Sequence, residues 1–236
     1  YLTGVYLAVN AVRDARVVVE GPDCAYMKSQ YIQGNQDMMS TLTSVSGYHR
    51  IVNTALHPAM MTESREVPLE EVLLEVAGHP STAGLFITSM PMAFITGADY
   101  ERLCRNVHEK TGKEVVNVRG LSLRGDWLDG YNETLWSLAK QLELPDVDNG
   151  DRRKVAVVGH LFARNEMDEV ANVQQMKEML QALDLDVTSI WLSGQGFEEL
   201  NKVAEAGTIL ALPYGMKAAR MLARRTGAEV IELPVP

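Results

Sequence analysis

The stretch Val17-Val18-Val19-Glu20-Gly21-Pro22-Asp23-Cys24-Ala25-Tyr26 is a β-branched run that stops at Gly-Pro and delivers a cysteine onto a helix start. A strand end that opens into a helix is where α/β proteins place chemistry, because outward-facing side chains and free backbone N–H groups converge there. Cys24 has two readings, a small buried hydrophobe or a ligand to a metal or cluster. The start of a helix favours a thiolate, whereas the neighbouring carboxylate of Asp23 disfavours one. An iron–sulfur cluster takes about four protein ligands, so any cluster held by Cys24 has to be shared with another chain.

Outward from this stretch, the chain has 236 residues, 46% hydrophobic and 22% charged, enough to bury a core and to form one large or two ordinary domains. A net charge of −9 argues against nucleic acid and against an anionic membrane surface, since both demand concentrated positive charge. Cys24 and Cys104 form neither a Cys-x-x-Cys pair nor a disulfide framework, which makes a reducing cytoplasm the natural compartment. No apolar run approaches the roughly 20 residues of a membrane span, and no signal peptide is expected. The chain starts at Tyr1 with Gly4 to Ala15 already reading as helix, so a piece of a longer protein is expected.

The second half is the more regular. Strands are expected at Val155 to Val158, Val187 to Leu192, Ile209 to Leu212 and Val230 to Leu233, separated by helices at Met167 to Leu183, Glu198 to Ala206 and Lys217 to Arg225. Strands alternating with helices imply right-handed crossovers and a parallel sheet, a Rossmann-like domain.

The first half reads as a buried helix over Gly4 to Val12, a strand over Arg16 to Glu20, and a helix over Cys24 to Gln33 closed by a turn at Gly34 to Asp37. One or two strands are expected among Thr41, Thr43, Val45 and the run Ile51 to Leu56. Pro68 opens a helix over Leu69 to Ala77, followed by a strand Leu85 to Thr88, a helix Ala98 to Lys110, a strand Glu114 to Val118, a loop Gly120 to Gly125 and a helix Asp126 to Leu142. The polar, breaker-rich segment from Leu144 to Arg153 places a boundary between a domain at 1–147 and another at 154–236.

Ser193-Gly194-Gln195-Gly196 resembles an anion cradle in a loop entering a helix, although it is not Gly-x-Gly-x-x-Gly and a plain connection is the simpler reading. His79, His108 and His160 have no ligand spacing, and His49 and His57 are poorly spaced for a helical metal pair. Cys104 falls inside a helix between Leu103 and Arg105 and reads as structural.

In order and spacing these pieces resemble the subunits of nitrogenase component 1 and its relatives. Gly21-Pro22-Asp23-Cys24 stands where that family has Gly-Pro-x-Gly-Cys, and Ser89-Met90-Pro91 with Ile95-Thr96-Gly97-Ala98-Asp99 stands where it has Cys-Pro and Ile-Gly-Asp-Asp. Val118-Arg119 with Arg124-Gly125, the strand from Val155 to Gly159, the Trp191-Leu192-Ser193-Gly194-Gln195-Gly196 loop and the closing Glu232-Leu233-Pro234 follow in family order.

The resemblance implies an α/β fold of two Rossmann-like parallel-sheet domains, with the family's third domain absent from this sequence. It implies a nitrogenase-like oxidoreductase subunit in a homo- or hetero-oligomer with a related subunit, fed by an ATP-dependent iron–sulfur reductase protein. It further implies an iron–sulfur cluster shared between subunits, with Cys24 and Asp23 as this chain's metal donors and Arg124 and Ser193 to Gly196 at a cofactor. No cluster is expected on the isolated chain. The alternative is a non-catalytic scaffold of the same fold holding a metallocofactor or small molecule.

Several departures qualify the resemblance. One residue is missing from the Gly-Pro-Asp-Cys turn, and Met90 stands where cluster-bearing members have a second cysteine. A thioether is a poor replacement for thiolate on iron. The helix after Arg124-Gly125 lacks the family's Gln and His, so dinitrogen is not the expected substrate.

Overall fold

The computed structural model describes residues 1–44, 49–121, 123 and 125–234. In the first half, α1 (Leu2–Asn10) leads into β1 (Ala15–Glu20), then α2 (Cys24–Met27), α3 (Gln30–Asn35), β2 (Ile51–Asn53), α4 (Glu66–Gly78), β3 (Gly84–Ser89), α5 (Tyr100–Thr111), β4 (Glu114–Val118) and α6 (Trp127–Gln141). The second half runs β5 (Lys154–Val158), α7 (Glu169–Gln181), β6 (Asp186–Ile190), β7 (Thr208–Ala211), α8 (Met216–Thr226) and β8 (Glu229–Glu232). The sheets are ordered β2-β1-β3-β4 and β6-β5-β7-β8, and every pairing is parallel. The two halves therefore repeat one topology, whose strand order reverses between β1 and β3 and again between β5 and β7.

The local chemistry explains the elements. Every residue of β1 and of β3 is buried, as expected for inner strands of a parallel sheet covered on both faces. Asp99 caps α5 by accepting from the Arg102 N–H at 3.0 Å, and Gly112, at φ 66°, ends it. Asp126 and Asp129 form a reciprocal cap at the start of α6.

Two expectations need correction, and a third is met by a single strand. The helix expected over Glu198 to Ala206 is a 3-10 helix, Phe197–Glu205. Its buried Phe197, Leu200 and Val203 recur every third position, which is the 3-10 period. The single helix expected from Cys24 is two short helices separated at Lys28 and Ser29, where the Ser29 hydroxyl donates to the Tyr26 carbonyl at 2.6 Å. Of the strands expected between Thr41 and Leu56, only Ile51–Asn53 pairs with the sheet, while Val45 lies outside the described residues.

One hydrophobic core joins the two sheets, drawing Tyr6, Phe86 and Tyr131 from the first half and Trp191, Phe197 and Leu222 from the second. Helices α1 and α6 meet backbone to backbone at two glycines. A Cβ at Gly4 would stand 1.7 Å from the Trp127 carbonyl oxygen, and one at Gly130 would stand 2.0 Å from that of Tyr1. Arg225 of α8 donates to the carbonyls of Ala139 and Leu142, each at 2.7 Å, satisfying the free end of α6. Residues 144–153, where the sequence places its boundary, cross between the sheets without helix or strand.

Candidate functional site at the end of the first strand

Strand β1 ends on Glu20, which is 0% exposed. Its carboxylate accepts from the Tyr100 hydroxyl and from Arg65 Nε at 3.4 Å. Burial pushes the Glu20 pKa up, opposed by the Tyr100 hydrogen bond and by Arg65. Beyond Glu20 the chain is pinned by its neighbours: the Gly21 N–H donates to Thr54 Oγ1 at 3.2 Å, the Leu56 N–H to the Gly21 carbonyl at 2.8 Å, and Asn53 Nδ2 to the Pro22 carbonyl at 3.0 Å. Asp23 and Cys24 follow as exposed residues at the start of α2, which the buried Tyr6 hydroxyl anchors by donating to the Ala25 carbonyl at 2.9 Å.

The Cys24 thiol is exposed, in contrast to Cys104, which is packed in α5 with Leu103 and Val107. Burial pushes the Cys104 thiol up to about 12, leaving it un-ionised at neutral pH. Met90 lies on Gly21, where a Cβ would stand 2.7 Å from Met90 Cγ and 2.9 Å from Sδ.

Cys24 and Asp23 line a cleft of about 810 Å3 that also takes in Arg16, Tyr26, His49 and His79. His49 Nδ1 accepts the Ser44 N–H at 2.9 Å, so a neutral ring carries its proton on Nε2, facing the Tyr26 hydroxyl at 3.0 Å. The sequence reading gave this histidine no role and overlooked Arg16. The available signal was a cation directly before the Val17-Val18-Val19 run of a strand.

The Ser193 to Gly196 loop lies elsewhere, at the junction of the two halves. Three of its N–H groups are engaged within the protein: Ser193 donates to Gln195 Oε1 at 2.7 Å, Gly194 to the Ala11 carbonyl at 2.9 Å, and Gly196 to Glu199 Oε1 at 3.1 Å. The next N–H, of Phe197, donates to Asp14 Oδ1 at 2.7 Å. Arg124 lies outside the described residues. At the matching end of the second sheet, Gly159 (φ 105°) and Gly215 touch, since a Cβ on Gly159 would come within 2.5 Å of the Gly215 nitrogen. Beside them the His160 ring pairs with Glu169 at 2.5 Å.

Among the described residues, no group of three or more His, Cys, Asp and Glu side chains could hold a metal. One exposed thiol beside one carboxylate does not amount to a cluster site within a single chain. Among the described residues, no helix is long and apolar enough to cross a membrane.

Two open parallel sheets of repeated order sharing one core define an α/β protein of two Rossmann-like halves. The family model for nitrogenase component 1 type oxidoreductase matches residues 1–236, and the chain belongs to that family. The solved structure "Nitrogenase Cp1 at pH 6.5" superposes with a TM-score of 0.79 at 12% identity, covering 99% of this chain and 53% of that one. "Nitrogenase Cp1 at pH 5" gives 0.69 at 13% identity, covering 97% and 46%. At such identities the likeness is one of fold, and this chain spans about half the length of those chains. No curated protein matches the sequence.

Proposed function

We propose that the chain is a subunit of a nitrogenase-like oxidoreductase that receives electrons from an ATP-dependent iron–sulfur reductase partner and reduces a substrate other than dinitrogen. The observation that carries this reading is the exposed thiol of Cys24, held at the end of an inner strand by a turn fixed on several sides. Cys24 supplies one thiolate, Asp23 is the adjacent oxygen donor, and a related subunit supplies the remaining ligands of a shared iron–sulfur cluster. When bound, such a cluster accepts and passes single electrons. This chain's contribution is to hold the thiol at an exposed edge while Glu20, four residues earlier, stays enclosed by Tyr100 and Arg65. Arg124 and the Ser193 to Gly196 loop are the remaining cofactor-binding candidates.

A scaffold reading, in which the fold holds a metallocofactor or small molecule without a cluster of its own, is favoured by one observation. Met90 packs against Gly21 where a second thiolate would be needed. Anaerobic mixing of the chain with the related subunit and the reductase, followed by electron paramagnetic resonance, separates the two. An ATP-dependent signal lost in Cys24→Ala supports the oxidoreductase, and its absence with an intact complex supports the scaffold.

A further inference from the structure

Arg16 is 6% exposed and lines the cleft beside Cys24. Its Nη1 donates to the His49 carbonyl at 2.7 Å, and its Nη2 reaches Ser81 Oγ at 2.9 Å and His79 Nδ1 at 3.0 Å. Its Nε is buried without a partner. Among the described residues no carboxylate forms an ion pair with it.

Other arginines have partners for their charge: buried Arg65 pairs with Glu20, and the partly exposed Arg164 with Asp37. Arg50 lies across the end of α1, donating to the carbonyls of Val9, Asn10, Val12 and Ala15, where the negative pole of the helix offsets its charge. Arg16, like Arg50, hydrogen-bonds only neutral acceptors, and burial followed by the nearby Arg16 charge lowers the Arg50 pKa. Among the described residues no ion pair offsets this buried cation.

We infer that the cleft binds an organic monocarboxylate, with Arg16 facing the carboxylate and the cleft walls taking an apolar body. Met27, and Val52 of the edge strand, offer apolar surface to the body of such a ligand, beside the polar Tyr26, Asn53 and His49 of the same lining. Asp23 and Glu75 are exposed members of the same lining and repel a second negative charge, which selects a monoanion over a phosphate or a polycarboxylate. The inference stands apart from the redox reading, since the binding requires no cluster, reductase or second subunit.

The test uses octanoate as the probe and the exposed Cys24 thiol in the same cleft as the reporter, with 1-octanol as the uncharged control. Alkylation of the whole chain by iodoacetamide is followed by mass spectrometry, and buried Cys104 is the internal reference. Octanoate is expected to slow Cys24 alkylation roughly tenfold at saturation, 1-octanol to leave it nearly unchanged, and Arg16→Gln to abolish the protection. Equal protection by both compounds, no protection by octanoate, or protection that persists in folded Arg16→Gln would overturn the inference. If Arg16→Gln does not fold, Val52→Phe decides: it narrows the cleft without touching Arg16, so octanoate must lose its effect there, and retained protection overturns the site. No outcome depends on iron or electron transfer, so failure here leaves the oxidoreductase reading intact, and the reverse holds too.

Discussion

Arg164 grips Asp37 with two parallel hydrogen bonds, Nε to Oδ1 at 2.9 Å and Nη2 to Oδ2 at 2.7 Å, across 127 positions of sequence. Asp37 is 0% exposed and also accepts from Asn10 Nδ2 at 2.8 Å and from the Met39 N–H at 2.9 Å. The Arg164 N–H donates to the Gln36 carbonyl at 2.7 Å, so main chain and side chain together tie the segment after α3 to the loop after β5. Removing the cation strands a buried carboxylate, so Arg164→Ala should cost about 3–5 kcal/mol in urea unfolding. A loss below about 1 kcal/mol would show that solvent reaches Asp37.

A glycine inside a helix ordinarily gains about 1 kcal/mol on replacement by alanine. At Gly4 the sign should reverse, because the added Cβ would stand 1.7 Å from the Trp127 carbonyl oxygen and force α1 away from α6. A loss of about 3 kcal/mol is expected for Gly4→Ala, read as a lower midpoint in thermal or urea unfolding. A neutral or stabilising result would mean that the two helices do not meet at this point.

The two thiols should differ sharply in reactivity. Burial, with Glu101 next, pushes Cys104 up to about 12, while Cys24 is exposed. In native protein at mildly alkaline pH, Cys24 should be alkylated and Cys104 should react only after unfolding. Faster modification of Cys104 would contradict the packing of α5.

Glu20 gives a pH dependence of defined sign. Burial raises its folded-state pKa above the ordinary 4.5, so the folded chain holds this proton more tightly than the unfolded chain. The corresponding stability is fully present below 4.5 and is lost as pH rises through the raised value. Wild type should therefore lose stability relative to Glu20→Gln as the pH is taken upward from the acidic side. A difference that grows in favour of wild type over that range would show that Tyr100 and Arg65 outweigh burial.

The regular alternation after Arg153 makes the second sheet legible, because parallel strands buried on both faces read as short apolar runs between helical patterns. The segment between α3 and β2 is not legible in this way. Its order comes from bonds such as Arg50 to the Val12 and Ala15 carbonyls and Asp37 to Arg164, which span 38, 35 and 127 positions, and local propensity carries no trace of them. The Phe197 helix is misread because the three-residue spacing of its buried positions also satisfies an α-helical pattern. For the site, the Gly-Pro break and the cysteine after it are visible in sequence, but the cleft is not. Arg16, His49 and His79 meet there through strand pairing and a loop after α4.

The central claim is that Cys24 is this chain's thiolate in a centre completed by a related subunit. The most direct measurement is iron and acid-labile sulfide analysis after anaerobic purification of the chain alone, of its complex with the related subunit, and of the same complex carrying Cys24→Ala. Iron and sulfide are expected in the wild-type complex, neither on the chain alone, and both are expected to be lost in the variant complex with the two subunits still associated. Equal iron and sulfide in wild-type and Cys24→Ala complexes would contradict it.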